Sequence, residues 1–428
     1  MANAFSKEER VAFEDLLEGF HDALVLSRNV GIYNTDQTMM ARTNDTIWRP
    51  MPYIAQSISS TPGSTIAGSY QDMTQLSVPA TIGFSRTVPW TMTTLDLRDA
   101  LQEGRLGEAA KQKLASDINL AIMNAAANLG SLVVDIGAAA GTYDDVALCD
   151  SIMNEQGVAD YDRYLALSSR DYNGLAGNIA GAAAAATRSF GGNKSNTAFE
   201  RSFVGMVAGF ETFKFDYANR LTGAAGGATL IDTQVGAANF FVPAATSTAV
   251  SGETQNVDNR FQTITVDNTV GVAAGDAFTI SGVEAVHHIT KQGTGQPKTF
   301  RVVSVTNGTD MVITPPIISA QGGSDAELQY QNCIVTPAAA APLTWLNANT
   351  AAVNVFWQRD ALELLPGRYA VPSDAGTAVM RATTDQGIEV VMQKFYDIDS
   401  MTIKYRLDTL FGVVNKQPEM SGILLFNQ

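Results

Sequence analysis

The stretch from residue 223 to 338 constrains the fold most, because its pattern is strand-like throughout and its ends are marked by two low-complexity seams. GAAGGA (223–228) and PAAAAP (337–342) bracket it. Inside, GDAFTISGV (275–283), TFRVVSV (299–305) and DMVITP (310–315) alternate apolar and polar residues as half-buried strands do. Asn307-Gly308 stands between the last two, the dipeptide that best matches the backbone of a tight hairpin. The sequence predicts no helix between 223 and 338, so this segment reads as a β-barrel-like domain inserted into another domain.

The host on either side reads as α+β. Leu106, Ala110, Leu114, Ile118, Ala121, Ile122, Ala125 and Leu129 recur at spacings of three and four, and Gly130 supplies a stop. This predicts a helix over 106–130, a rod of roughly 35 Å. LGSLVVDIG (129–137) reads as a buried strand, and 138–222 mixes helical pieces, Ala182–Ala186 among them, with Gly-rich turns. After the insert, NVFWQRDALELLP (354–366) reads as a strand entering a helical turn. Further strand-like runs occupy Gly387–Gln393, Met401–Tyr405 and Gly422–Phe426.

Two features precede the long helix. Ser6 with Glu9 makes a capping box, and Val11, Phe13, Leu16, Leu17, Phe20 and Leu24 form one apolar face behind it. Glu8, Glu9, Glu14, Asp15 and Glu18 crowd the other sides, giving either an ordinary wet face or a handle for a basic partner. Residues 48–90 then change character. Pro50, Pro52, Pro62, Pro79 and Pro89 exclude a helix, and short β-type runs at Leu76–Val78 and Thr81–Phe84 suggest an extended loop or hairpin. An excursion of that length inside a compact domain tends to be functional.

Chemistry is hard to find. Of three histidines, His21 reads as a surface residue on the first helix. Adjacent His287 and His288 would point to opposite faces of a strand, which suits no shared metal. Cys149 and Cys333 have no metal-like or disulfide-framework spacing and suit a reducing compartment. GTGQPKT (293–299) faintly resembles a phosphate loop, but Pro297 stands before Lys298 where close backbone approach needs glycine, so it reads as a flexible loop between strands. Acidic pairs such as Asp144-Asp145 are unremarkable in an acidic chain. With no HExxH, CxxC or GxSxG motif, no catalytic residue, cofactor or metal site is expected. A net charge of −15 without a basic stripe argues against gripping nucleic acid. Only 17% of residues are charged, below the roughly 25% of an average domain, as if neighbouring subunits cover much of the surface. No run approaches the ~20 apolar residues of a membrane span, and the N-terminus lacks a signal peptide's apolar core.

Specific phrases then carry a resemblance. NDTIWRPMP (44–52), LGSLVV (129–134), VAGFE (207–211), NVDNRFQTITV (256–266), GDAFTISGV, TFRVVSV, NVFWQRDAL (354–362) and TLFGVVNKQPE (409–419) occur in that order. Together they resemble the coat proteins of short-tailed phages of the Salmonella podovirus type. The resemblance implies an α+β, Hong Kong phage-type major capsid fold with an inserted all-β barrel domain. In that frame 1–47 would be an N-terminal arm, 48–90 the extended loop, and 91–130 the peripheral domain with its spine helix. Residues 131–222 and 339–385 would form the axial domain around the insert at 223–338, and 386–428 would return to the peripheral domain.

The resemblance further implies a homo-oligomeric icosahedral shell of hexamers and pentamers, assembled in host cytoplasm with scaffolding and portal proteins. The shell would expand as DNA enters, enclosing that DNA without specific binding. Glu14 and Asp15 on the acidic arm are the candidates for scaffold binding. Loops 239–255 and 284–298 are the candidate bridges between capsomers, with Asn239, Phe240, Glu253, Glu284, His287 and Lys291 as their marker residues. Some relatives lock the shell with an isopeptide bond from a loop lysine, but 51–90 contains no lysine. An encapsulin-like shell, a hydrolase whose site escapes motif search and a carbohydrate-binding protein are the alternatives. The inserted β domain and the phage-type phrases weigh against the first, the shortage of histidine and of any nucleophile constellation against the second, and the few aromatics against the third.

Overall fold

The computed structural model describes residues 9–11, 13–14, 16–17, 20, 24–33, 46–51, 55, 57–93, 100–181, 201–215, 217–232, 240–370, 378–384 and 386–426. The chain is a mixed α+β protein that divides into two compact units. The first comprises 1–47, 79–123 and 362–414; the second comprises 48–78, 124–361 and 415–428.

In the first unit, a six-stranded sheet runs Gly31–Ile32, Leu362–Pro366, Thr402–Asn415, Glu389–Asp397, Ala378–Thr383, with Phe84–Thr93 also paired on Thr402–Asn415. Val390, Leu407, Leu410 and Phe411 are fully buried in it. The described residues between 9 and 20 are helical and bury Phe13, Leu16 and Phe20 as the periodicity requires. Two side chains depart from the expected pattern. Val11 is exposed, and Glu9, assigned to the wet face, is 9% exposed, accepting a hydrogen bond from the Tyr405 hydroxyl (3.1 Å) and pairing with Lys394. A periodicity argument ranks positions by polarity and cannot see that the opposing sheet supplies partners for a buried carboxylate. Ser6, His21 and Ala182–Ala186 lie outside the described residues.

The long helix spans Ala100–Leu129, starting six residues before the expected onset. The earlier turn carries no apolar stripe to announce it. Its buried stripe includes Ala110, Leu114, Ile118, Ala121 and Ile122, then drifts to Ala126 rather than Ala125.

The second unit holds two larger sheets. The seven-stranded one runs Leu132–Asp135, Ser421–Leu425, Ala351–Gln358, Arg163–Ser168, Phe210–Phe215, Met206–Val207, with Arg220–Leu221 on Ala351–Gln358. Helix Tyr143–Glu155 packs Cys149 and Met153 into its core with Leu165, Phe210, Phe356 and Leu424. Thr142 and Asp145 close a capping box at that helix's start. The second sheet is antiparallel, ordered Gln262–Thr265, Asp310–Thr314, Gly293–Val305, Ala277–Val286, Leu343–Trp345, over a core of Phe278, Phe300, Val302, Met311 and Ile313. The segment around Leu230 and Ile231 bonds to both of its edges, toward Val266 on one side and toward Ala341 and Pro342 on the other. That closes the sheet on itself, as a barrel requires.

Several expectations need correction. The β segment does contain a helix, Asp325–Tyr330, too short for a periodic signal. GTGQPKT is not a loop but the start of strand Gly293–Val305, because Lys298 and Phe300 face inward there. The five-stranded sheet extends past the seam at 338 to Trp345, since Ala341 and Leu343 belong to its core. Two host boundaries also shift. A single 3₁₀ turn, Arg359–Ala361, passes the chain from one sheet to the other, so 362–385 belongs with the first unit, whereas Ser421–Leu425 lies in the second.

Candidate functional site

Where the closed β segment meets the rest of the second unit, charged side chains are buried rather than displayed. Lys298, 1% exposed, donates to Glu419 Oε1 at 2.5 Å and to Gln156 Oε1 at 3.2 Å. His288 Nε2 lies 3.2 Å from the other Glu419 oxygen. Burial opposes the Glu419 charge, but Lys298 and His288 outweigh it and hold that carboxyl well below the usual carboxylate range. Nearby, Arg301 donates to the carbonyls of Gly275 (3.0 Å) and Gly130 (3.3 Å), and burial pushes its guanidinium down to about 10, still protonated at neutral pH. Thr299 donates to the Ser131 carbonyl at 2.6 Å. Lys298, Thr299 and Arg301 lie within four residues of strand Gly293–Val305, so the strand misread as a loop is the one that anchors the β segment to the rest of the second unit. A cavity of about 30 Å³ adjoins the cluster, bordered by Asn259, Arg260, His288, Gln417 and Glu419.

The exposed surfaces are of a different kind. Residues 57–70 are exposed throughout and present Ile58, Ile66 and Tyr70, the last 80% exposed; Asp72 is the only charge between 51 and 85. Apolar side chains on an uncharged, exposed stretch of this length are what a covered contact surface displays. The hairpin Thr246–Thr248/Thr254–Asn256 is exposed and polar, with Glu253 at its turn.

Among the residues expected to mediate contacts, Glu14 is exposed on the N-terminal helical face, whereas Asp15 and Asn239 lie outside the described residues. Phe240 packs against the β-segment core rather than standing at a loop tip. Glu284 is exposed but sits within strand Ala277–Val286. His287 Nδ1 accepts from the Thr290 amide at 3.2 Å, and its ring lies against Gly157. Lys291 turns inward, donating to the carbonyls of Gln329 (2.8 Å) and Gln331 (3.2 Å), and burial pushes its amine down to about 8. Glu253 and Glu284 are thus displayed outward, while His287 and Lys291 are engaged within the chain. Sequence reading missed Glu419, Lys298 and Arg301; a charged residue flanked by strand-pattern apolars in TFRVVSV was the available signal.

For chemistry, the described residues assemble little. No cluster of three or more potential metal ligands occurs among them. Burial raises the thiols of Cys149 and Cys333, the latter to about 12, so neither is an activated nucleophile. No described helix is long and apolar enough to cross a membrane.

A frame of sheets, one of them closed, that buries a charged cluster as an anchor and displays a long uncharged segment is what a structural subunit presents to its neighbours. The family model described as "P22 coat protein - gene protein 5" matches residues 1–427, and the chain belongs to the P22 coat protein family: it is a major capsid protein of a tailed phage. Among solved structures it is similar to the I-domain of the CUS-3 coat protein, at 36% identity over 29% of this chain and 98% of that one (TM-score 0.23). It is also similar to a chain of Mycobacterium phage Che8, at 9% identity over 94% of this chain and 91% of that one (TM-score 0.45). A capsid chain of the cyanophage P-SCSP1u matches at 10% identity over 95% and 88% of the two chains (TM-score 0.45).

Proposed function

We propose that this coat protein builds an icosahedral procapsid of hexamers and pentamers in host cytoplasm, together with scaffolding and portal proteins. The shell then expands around DNA that it encloses without specific binding. The subunit takes the Hong Kong phage-type arrangement with the closed β segment as its inserted domain, and acts without catalysis. The observation that carries this reading is the exposed, nearly uncharged segment 57–70 on a chain of the coat protein family. In a shell, that segment lies over a neighbouring subunit and its apolar side chains are covered. Glu14 with Asp15 takes a basic face of the scaffolding protein, and Glu253 and Glu284 lie toward adjoining capsomers. Electron microscopy of the chain co-expressed with its scaffolding protein tests the whole reading. Closed shells of uniform size are expected; soluble monomers or small oligomers in the presence of intact scaffold would refute it.

A further inference from the structure

The short helix Asp325–Tyr330 is built more firmly than six residues require. At its start the Ser324 hydroxyl accepts from the Glu327 amide (3.2 Å) and donates to Glu327 Oε1 (3.1 Å), while the Gly322 amide donates to Glu327 Oε2 (2.8 Å). At its end Lys291 ties down the carbonyls of Gln329 and Gln331. An isolated helix this short would not persist in water, so these contacts hold it in place for some purpose.

Its side chains reach one stretch of extended backbone. The Asp72 amide donates to Asp325 Oδ2 at 2.8 Å, the Thr74 amide faces Gln329 Oε1 at 3.5 Å, and the Leu76 amide donates to the Tyr330 hydroxyl at 3.3 Å. Gln329 Nε2 returns a bond to the Asp72 carbonyl at 2.9 Å. Alternate amides of an extended chain point the same way, so 72, 74 and 76 form one edge, and the helix satisfies it as a neighbouring strand would. Gln329 is 1% exposed, so an unmatched amide there would be costly. The exposed segment 57–70 ends just before this edge.

We propose that Asp325, Gln329 and Tyr330 are positioning residues that clasp the base of the exposed segment and set how it leaves the subunit. The assembly consequence rests on the function proposed above, but the clasp itself is a property of the unassembled chain, so the two can fail separately. Among the described residues of the β segment the helix stands amid strands because side chains, unlike a further strand, engage one edge without adding a new exposed edge.

Hydrogen exchange on the full-length unassembled chain tests the clasp. In the double variant Asp325→Ala/Gln329→Ala, the Asp72 and Thr74 amides should exchange about tenfold faster, and proteases should cut within 57–70 more readily. The Val302 amide, deep in the β segment and bonded to the Asp276 carbonyl, should not change. Asp325→Asn, which keeps an acceptor, should restore protection at Asp72. Unchanged exchange at 72 and 74, or an equal loss at Val302, would overturn the clasp. Co-expressed with scaffold, the double variant should yield fewer closed shells than the native chain; native yield and uniformity would overturn the positioning role.

Discussion

At the scale of single residues, Glu419 decides how firmly the β segment is anchored. Its charge is buried with Lys298 and His288, so removing it leaves a buried ammonium without its counter-charge. Losing one partner of such a pair costs about 3–5 kcal/mol. Glu419→Gln should therefore raise exchange at β-segment amides such as Val302 under native conditions, with the first unit's sheet unaffected. The pH dependence follows from the same pair. Because the folded carboxyl titrates below its ordinary value of 4.5, its stabilising contribution is complete above that pH and is lost as the pH falls below it. The native chain should lose β-segment protection on acidification from that point, and the Gln variant should show a flatter profile. Equal profiles for the two would refute the assignment. None of this was legible beforehand: PEM and PKT look like turn residues, and only the fold brings Glu419 and Lys298 together across 121 positions.

Elements show where sequence reasoning holds and where it fails. The strand pattern of 275–315 held because alternation reports a sheet with one buried face, and the Asn307-Gly308 turn lies where a hairpin needs it. The long helix held for the same reason at a period of 3.6. What escaped were elements whose side chains answer to partners rather than to a period, namely helix Asp325–Tyr330 and the 3₁₀ turn at Arg359–Ala361 that moves the chain between sheets. Strand Ser421–Leu425 is a further case. It looked like any apolar run, yet it lies between Leu132–Asp135 on one side and Ala351–Gln358 on the other. A Cβ on Gly422 would stand 2.4 Å from both the Leu132 carbonyl oxygen and Phe356 Cζ. Gly422→Ala should thus destabilise the second unit by about 1–3 kcal/mol through overpacking. Chemical denaturation of the variant, followed through exchange at Leu424 and Leu165, would read it; a change within error would mean that the strands can separate at little cost.

For the whole molecule, charge distribution connects the chain to its assembly. The buried cluster of Lys298, His288 and Glu419 anchors the β segment, and the exposed segment 57–70 carries no ionisable group apart from the Tyr70 phenol, whereas the N-terminal helical face displays the charge of Glu14. Glu9 on the same helix is already committed to Lys394 and Tyr405, whereas Glu14 is exposed. Attraction between exposed charges is screened within about 10 Å at 0.1 M salt, so scaffold binding through this face should weaken steadily as salt rises. Glu14→Lys/Asp15→Lys should abolish most of that salt dependence along with the binding, while subunit exchange protection stays native because Glu14 is exposed. Binding that survives the double reversal with its salt slope intact would move the scaffold site elsewhere on the chain. The absence of lysine from 51–90 gives the matching expectation for the finished shell. Without an amine on that segment no isopeptide link can start there, and the shell's cohesion must come from many modest interfaces acting together. Matured shells boiled in detergent should therefore run as single chains, and a ladder of covalent multimers would show that a lysine elsewhere reaches across subunits.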